Sequence, residues 1–425
     1  MSNATLRTIQ ITRRFTDRAW GGTETVVLET SRRMKQLGHQ AEILTTTALD
    51  PKRCSSIRGV RVRRYPYFYP WLGLSASQRR KLDERGGNLF SVSLGRALVG
   101  RSPDLIHLHT GKRLGGIGRT VARLRNIPYV VSLHGGVVGV PEREVERWTP
   151  RTTGRRGPFE WGKALGLLVG SRRVLEDAAA VLCVDRSERD KLRDRMPYQR
   201  VEWMPNGVDT ASFASGSGPS FRARHGIPLD RRVLTVVGRV DAQKNQMLAV
   251  KILARLRKSA KAGDDWHLCL VGPTTDGDYA RRLERSIERR GLGDRVTWIP
   301  GLPSGSRDLV DAYHAADYVL VPSVHEPFGI VVLEAWAAGR PVVARRIGGM
   351  AELVQDGADG SLVDGDDVES WVRRISELEA SPVWAQSRVD FARKRVRLQF
   401  DWQRITGRLL SLYEEARRAH SASQP

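Results

Sequence analysis

YVLVPSVHEPFGIVVLEAWAAGRPVVARRIGG, residues 318–349, decides how this chain is read. Its first six residues read as a buried strand, apolar on both faces as in a parallel sheet covered by helices. SVHEP follows as a loop, and Pro327 stops any strand there. Gly329 opens an apolar run, Ile330 to Ala338, too long for a strand and rich in helix-forming Ala and Leu. Gly339 closes that helix and PVVA begins the next strand. Glu326 and Glu334 therefore flank a helix start at the mouth of a parallel sheet, where open α/β sheets bind ligands. The amides of Phe328, Gly329 and Ile330 can hold a phosphate there, helped by the helix dipole. Gly329 lets the ligand come close to the backbone.

Upstream, strand Val233–Val237 leads to Gly238, Arg239 and a helix starting near Gln243. Arg239 can fork two bonds to phosphate oxygens, and Lys244 adds a point charge. The spacing of a P-loop is missing. Strands His267–Val271 and Val296–Ile299 complete a second sheet. Two Asp-x-Asp triplets, Asp276–Asp278 and Asp364–Asp366, precede helices and read as caps rather than metal ligands.

Residues 5–200 alternate strands and helices, which argues a doubly wound sheet. The strands are Arg7–Ile11, Glu42–Thr45, Val60–Arg64, Leu105–His109, Tyr129–Leu133, Ala180–Val184 and Val201–Met204. Gly21 and Gly22 make a backbone-accessible turn after the first, with Thr23 capping a helix Glu24–Leu37. No dinucleotide fingerprint follows that strand. His107 and His109 are read as pointing to opposite faces, which argues against a metal site. His134 ends a strand at the sheet's carboxyl edge with two glycines behind it. It is either a satisfied structural histidine or a ligand contact facing an interdomain cleft. The front of residues 141–176 reads as a mobile loop, and Ser187 as a helix cap. ASGSGPS, residues 214–220, is the most linker-like segment, so the domain boundary falls near 205–215.

Composition bounds the rest. A chain of 425 residues, 40% apolar, has room for two α/β domains. Cys54, Cys183 and Cys269 are odd in number with no CxxC pair, which argues against zinc and disulfides. The first residues lack a signal peptide's apolar region, and no run is long enough to span a membrane. A cytoplasmic protein is expected. The net charge of +23 allows nucleic acid, anionic lipid or anionic substrate as partners. Residues 51–100 hold eleven Lys or Arg against Asp83 and Glu84. Within them RVRRYPYFYPWLGL, residues 61–74, suits either a lipid headgroup layer or an aromatic loop packed on its own domain.

The stretch HEPFG-I-VV-LEAWAAGRPVVA resembles the E-x7-E motif of retaining glycosyltransferases of the GT-B fold, family 4 (group 1), with Glu326 and Glu334 in the glutamate positions. GGTE, LGHQAEILTT, MPNGVD and the Gly238-Arg239…Lys244 arrangement resemble the same family, in its order; Asn245 stands where a glycine often follows the lysine. The resemblance implies two Rossmann-like domains facing across a cleft. They are an acceptor-side domain, 1–205, with a crossover helix in 402–425, and a donor domain, 206–401. It implies a retaining transfer of a hexose-type sugar from a nucleotide-diphosphate sugar to an acceptor hydroxyl, in surface polysaccharide or glycolipid assembly, without metal or other cofactor. Glu326 and His134 would contact the donor sugar and Glu334 the ribose. Arg239 and Lys244 would bind the diphosphate, with Gly21 and Gly22 near the phosphate and the acceptor. The acceptor would be a sugar or lipid-linked molecule, the latter met by peripheral contact with an anionic membrane at its inner face. The alternatives are an epimerase or hydrolase on the same fold, or a nucleic-acid binder suggested by charge alone; no nucleic-acid motif supports the last.

Overall fold

The computed structural model describes residues 5–16, 20–135, 159–259 and 265–422. The chain divides into two compact units, 1–205 with 405–425, and 206–404. The second division falls in the first turn of the last helix, Trp402–Ala422. Among the described residues no helix is long and apolar enough to cross a membrane.

The first unit is built on an eight-stranded sheet. In spatial order its strands are Val201–Trp203, Ala180–Cys183, Tyr129–Leu133, Leu105–Leu108, Arg7–Ile11, Gln40–Thr46, Val60–Tyr65 and Cys54–Ile57. All neighbours are parallel except the last pair. The central strands, Leu105–Leu108, Tyr129–Leu133 and Ala180–Cys183, are buried on both faces because both are covered. Ile106, Leu108 and Val131 pack with Leu114, Ile117 and Val121 of helix Lys112–Leu124. Leu105, Val130 and Leu182 pack with Leu409, Leu412 and Tyr413 of the last helix.

Six parallel strands form the sheet of the second unit: Val296–Ile299, Trp266–Val271, Arg232–Val237, Tyr318–Val321, Val342–Arg345 and Ser361–Val363. In both sheets the chain order reverses once beside the first strand. The reversal lies between Arg7–Ile11 and Leu105–Leu108 in one, and between Arg232–Val237 and Tyr318–Val321 in the other. The loops leaving such strand pairs splay apart and open a crevice at the carboxyl edge.

Several local readings are corrected. The helix expected over Glu24–Leu37 runs Gly22–Gln36; Gly21, not Thr23, takes the cap position and no side chain caps it. Asp185, not Ser187, caps helix Arg186–Arg195 by accepting from the Glu188 amide at 3.0 Å. The helix placed near Gln243 begins at Gln246. ASGSGPS is not a free linker. Ser217 caps helix Gly218–Arg224 and its amide donates to Asp311 at 2.7 Å, tying the segment to helix Arg307–Ala315. Polarity made this stretch look unattached, but here small residues serve close packing. The front of 141–176 falls in 136–158, outside the described residues.

Candidate functional site

In the second unit the reversal point is lined by two loops. One leaves strand Arg232–Val237 and carries Arg239, Gln243 and Lys244; the other leaves Tyr318–Val321 and carries Glu326 and Gly329. Gln243 ties them together. Its carbonyl accepts from the Val324 amide at 2.8 Å and its side chain donates to the His325 carbonyl at 3.0 Å. Lys244 then forms an ion pair with Glu326. The two side chains are 15% and 12% exposed, so each has lost most of its water and depends on the other for compensation. Arg239 is more open, 3.3 Å from Gln243 Oε1 and 3.4 Å from Asp241. Asn245 adopts φ +53°, a left-handed conformation in which asparagine is among the few tolerated side chains besides glycine. Its amide also donates to Asp366 at 3.1 Å.

The Glu326 loop is held from below in part by two residues the sequence reading did not mark, Gly349 and Met350. Gly329 sits at φ +97° as the cap of helix Ile330–Ala337, with no side-chain cap bond. Phe328 is buried just before it. Gly349 donates to the Glu326 carbonyl at 3.1 Å, and a Cβ there would collide with the Pro327 carbonyl oxygen. Met350 lies where a Cβ on Gly329 would point. The helix therefore presents uncapped amides, including that of Ile330, at the reversal point, which favours an anion.

Glu334 lies one turn into that helix and accepts a 2.5 Å bond from Tyr313 on helix Arg307–Ala315. Burial raises its pKa to about 7, against a lowering by the tyrosine bond. Burial and the Glu334 carboxylate drive the Tyr313 phenol well above its ordinary value. The carboxyl of Glu334 is thus poised near half-ionisation at neutral pH.

In the first unit the reversal point carries a different chemistry. His107 and His109 lie on one face, with ring centroids 3.9 Å apart. The opposite-face reading was wrong, because strand side chains alternate with period two and residues two apart share a face. That face is the one covered by the last helix. His107 bonds the Tyr413 hydroxyl and, at 2.7 Å, Ser132 Oγ. His109 Nε2 meets Gln10 Oε1 at 2.8 Å, and its Nδ1 meets His134 Nε2 at 3.0 Å. Burial pushes His107 down to about 3 and His134 down to about 4, and holds His109 well below its usual range. All three are neutral. Among the described residues no group of three or more His, Cys, Asp or Glu is arranged to hold a metal ion. Gly21 and Gly22 begin helix Gly22–Gln36, with buried Glu24 in its first turn paired to Arg14 at 3.2 Å.

Two other marked features turn inward. In 61–74, Arg63 pairs with Glu42 at 2.6 Å. Buried Arg64 binds Asp50 at 3.0 Å and the Phe15 carbonyl. Tyr67 and Tyr69 both donate to Asp83, at 2.7 and 2.9 Å. Phe68 stacks on Trp161, and Trp71 pairs in a short ribbon with Glu160. This stretch packs on its own unit. Of the Asp-x-Asp triplets, Asp276 is a cap, bonded by the Tyr279 amide at 3.0 Å. Asp364 and Asp366 are not; they pair with Arg346 and Arg345, and Asp367 caps the helix that follows.

Comparison with known proteins covers both units. The sequence profile of Glycosyl transferases group 1 matches residues 218–395, and that of Glycosyltransferase Family 4 matches residues 20–212. A D-inositol 3-phosphate glycosyltransferase of Salinispora arenicola is 31% identical over 93% of this chain and 87% of its own. A protein of the same name from Mycolicibacterium smegmatis is 36% identical over 60% of this chain, a match spanning 57% of that relative. Among solved structures, sucrose-phosphate synthase from Thermosynechococcus elongatus superposes with a TM-score of 0.74 at 23% identity, covering 97% of this chain and all of that one. The Anabaena protein HepE in complex with UDP and glucose superposes with a TM-score of 0.69 at 20% identity, covering 96% and 98%. The fold is GT-B, with parallel-sheet Rossmann-like units.

Proposed function

The chain belongs to the group 1 glycosyltransferases, enzymes that use nucleotide sugars, and we propose that it moves a hexose-type sugar, with retention, to a hydroxyl of a phosphate-bearing polyol. The observation that carries the donor half is the meeting of Lys244, Glu326, Arg239 and the uncapped helix start at Gly329 at one reversal point. In this reading the diphosphate draws Lys244 from Glu326 and takes Arg239 and the amides near Gly329 as further donors. Glu326, released, accepts from the sugar hydroxyls. Glu334 accepts from the ribose.

The reaction follows from those contacts. The bond between the anomeric carbon and the diphosphate oxygen breaks, and the growing negative charge is met by Arg239 and Lys244. Such preorganised stabilisation is usually the largest catalytic contribution. The acceptor oxygen bonds to the anomeric carbon on the face the diphosphate leaves. Its proton passes to the departing phosphate oxygen, so no enzyme nucleophile and no metal are required. The acceptor class is supported by the names of the relatives. It is supported also by Arg13 and Lys112, which follow the neighbouring strands Arg7–Ile11 and Leu105–Leu108. A lipid-linked acceptor reached through residues 61–74 has less support, because Arg63, Arg64 and the tyrosines there are engaged internally.

Thermal-shift titration with UDP-, ADP-, GDP- and CDP-sugars, followed by transfer to inositol 3-phosphate in the presence of EDTA, tests this. HepE was solved with UDP and with UDP-glucose, so UDP-sugars come first. A true donor at 100 times its Kd should add about 2.7 kcal/mol of stability. No shift with any nucleotide sugar, or equal turnover without acceptor, overturns the reading.

A further inference from the structure

The polar side chains beneath His134 form a directed chain that starts on the backbone. Thr8 Oγ1 donates to the Gln40 carbonyl at 3.2 Å; its other neighbour, Met34 Sδ at 3.9 Å, is a weak acceptor. Having spent its proton, Thr8 offers a lone pair to Gln10 Nε2 at 3.4 Å, and the Tyr413 hydroxyl oxygen offers another at 3.5 Å. That holds the Gln10 amide with Oε1 toward His109 Nε2, 2.8 Å away. An amide oxygen only accepts, so His109 carries its proton on Nε2 and leaves Nδ1 bare. His109 Nδ1 in turn faces His134 Nε2 at 3.0 Å, and as a lone pair it requires a proton there. The remaining nitrogen, His134 Nδ1, is then an acceptor. It is buried and, among the described residues, has no hydrogen-bond partner. Buried polar atoms are rarely left so unless a ligand or water completes them.

We propose that Thr8, Gln10 and His109 are positioning residues that lock His134 as its Nε2–H tautomer, so that Nδ1 meets the ligand as a hydrogen-bond acceptor and selects a hydroxyl over an anion or a carbonyl. The three imidazoles are neutral, as their burial dictates, so no spare proton blurs the direction of the chain. Coulomb attraction plays no part in this contact. It discriminates by the polarity of one hydrogen bond, and the side chains setting that polarity never touch the ligand. The choice of a hydroxyl rests on the glycosyl-transfer reading; the tautomer lock does not.

The test is nitrogen NMR of the full chain labelled at its nine histidines, with His134 assigned by the signals lost in His134→Gln. At pH 7.5 His134 should show a protonated Nε2 and a bare Nδ1. Gln10→Leu should release the lock, giving an averaged or inverted His134, whereas Gln10→Glu, which keeps an accepting oxygen, should preserve it. Should Gln10→Leu fail to fold, Thr8→Val combined with Tyr413→Phe removes both acceptors of the Gln10 amide nitrogen and frees the same amide to turn. A protonated Nδ1 in the wild type overturns the proposal, as does an unchanged His134 in whichever releasing variants fold. The ligand half has its own readout. His109→Phe should lower kcat/KM about tenfold, the scale of one hydrogen bond, with affinity for the bare nucleotide unchanged. His109→Asn, which returns an accepting oxygen near Nδ1, should restore transfer. The expected tautomer together with undiminished transfer in His109→Phe removes the hydroxyl contact and leaves the lock standing.

Discussion

At the carboxyl edge of the second sheet Lys244 and Glu326 meet as opposite charges, while at that of the first His134, His109 and Gln10 meet as neutral donors and acceptors. Both groups stand where strand order reverses, so topology placed them alike. The electrostatics differ because the walls differ. Lys244 and Glu326 sit on loops and keep 15% and 12% exposure. The histidines lie under a helix whose Tyr413 is fully buried, where a charge would be unsupported. A charged edge suits a diphosphate that brings its own negative charge. A neutral edge suits hydroxyls, which are recognised by the direction of a hydrogen bond.

The sharpest way to break this contrast is to remove one charge. Lys244→Ala should lower turnover by roughly 10²- to 10³-fold, the scale of losing one donor to a developing anion. It also strands the Glu326 carboxylate, which should weaken binding of bare nucleotide diphosphate. His134→Ala, in the neutral group, should leave nucleotide affinity alone. Steady-state kinetics with calorimetry checks both, and equal losses of nucleotide affinity would erase the distinction.

A second test uses opposite pH signs. The histidines have folded pKa values below their unfolded value near 6.5, down to about 4 for His134 and about 3 for His107. As pH falls through 6.5 the unfolded chain takes up protons first, so this stability is present at neutral pH and lost on acidification. Glu334 is raised to about 7 from 4.5, so its contribution is present below 4.5 and lost as pH rises toward 7. Going from pH 7 to 5 should therefore lower the opening free energy of strands Leu105–Leu108 and Tyr129–Leu133 by about 1–2 kcal/mol. In strand Arg232–Val237 the gain from Glu334 is opposed by His267, pushed down to about 4 by burial on the paired neighbouring strand, so its opening free energy should change less. Hydrogen exchange corrected for intrinsic rates measures this, and parallel losses in both sheets would refute it.

The smallest effect concerns Glu334 alone. If ribose hydroxyls bind its ionised form, nucleotide affinity should fall about tenfold per pH unit below 7, in excess of the phosphate's own titration. In Glu334→Gln that excess should vanish. Calorimetry in buffers of different ionisation enthalpy should show about half a proton more released on binding at pH 7 by the wild type than by Glu334→Gln.

Much of the fold was legible because it is written in short windows. Strand Arg7–Ile11 and strand Tyr129–Leu133 have the bounds expected of them. Helix Ile330–Ala337 ends one residue short of the expected Ala338, before Gly339. The misplaced caps at Thr23 and Ser187 show the limit: several residues in a row can cap, and backbone geometry chooses among them. ASGSGPS failed for a related reason, since small polar residues fit both a free linker and a tight contact. Of the candidate site, Arg239, Lys244, Glu326, Gly329 and Glu334 were marked through spacing and motif, and the structure brings Lys244 to Glu326. Gln10, Tyr313 and Gly349 carry no local signal and were missed.

By itself, then, the sequence determined two α/β units, their parallel strands, and which charged residues follow which strands, because periodicity, helix stops and turn chemistry act over a few residues. Only the tertiary structure decided the partners. Lys244 meets Glu326 across 82 positions, and His107 meets Tyr413 across 306. Those pairings depend on strand order and on which face each helix covers, and no window of sequence contains either. The same arrangement put His107 and His109 on one face under the last helix, burying them as neutral groups. Desolvation is a property of the assembled surroundings, so whether a histidine is a charge or a lone pair is settled only when the sheet and its covering helix come together.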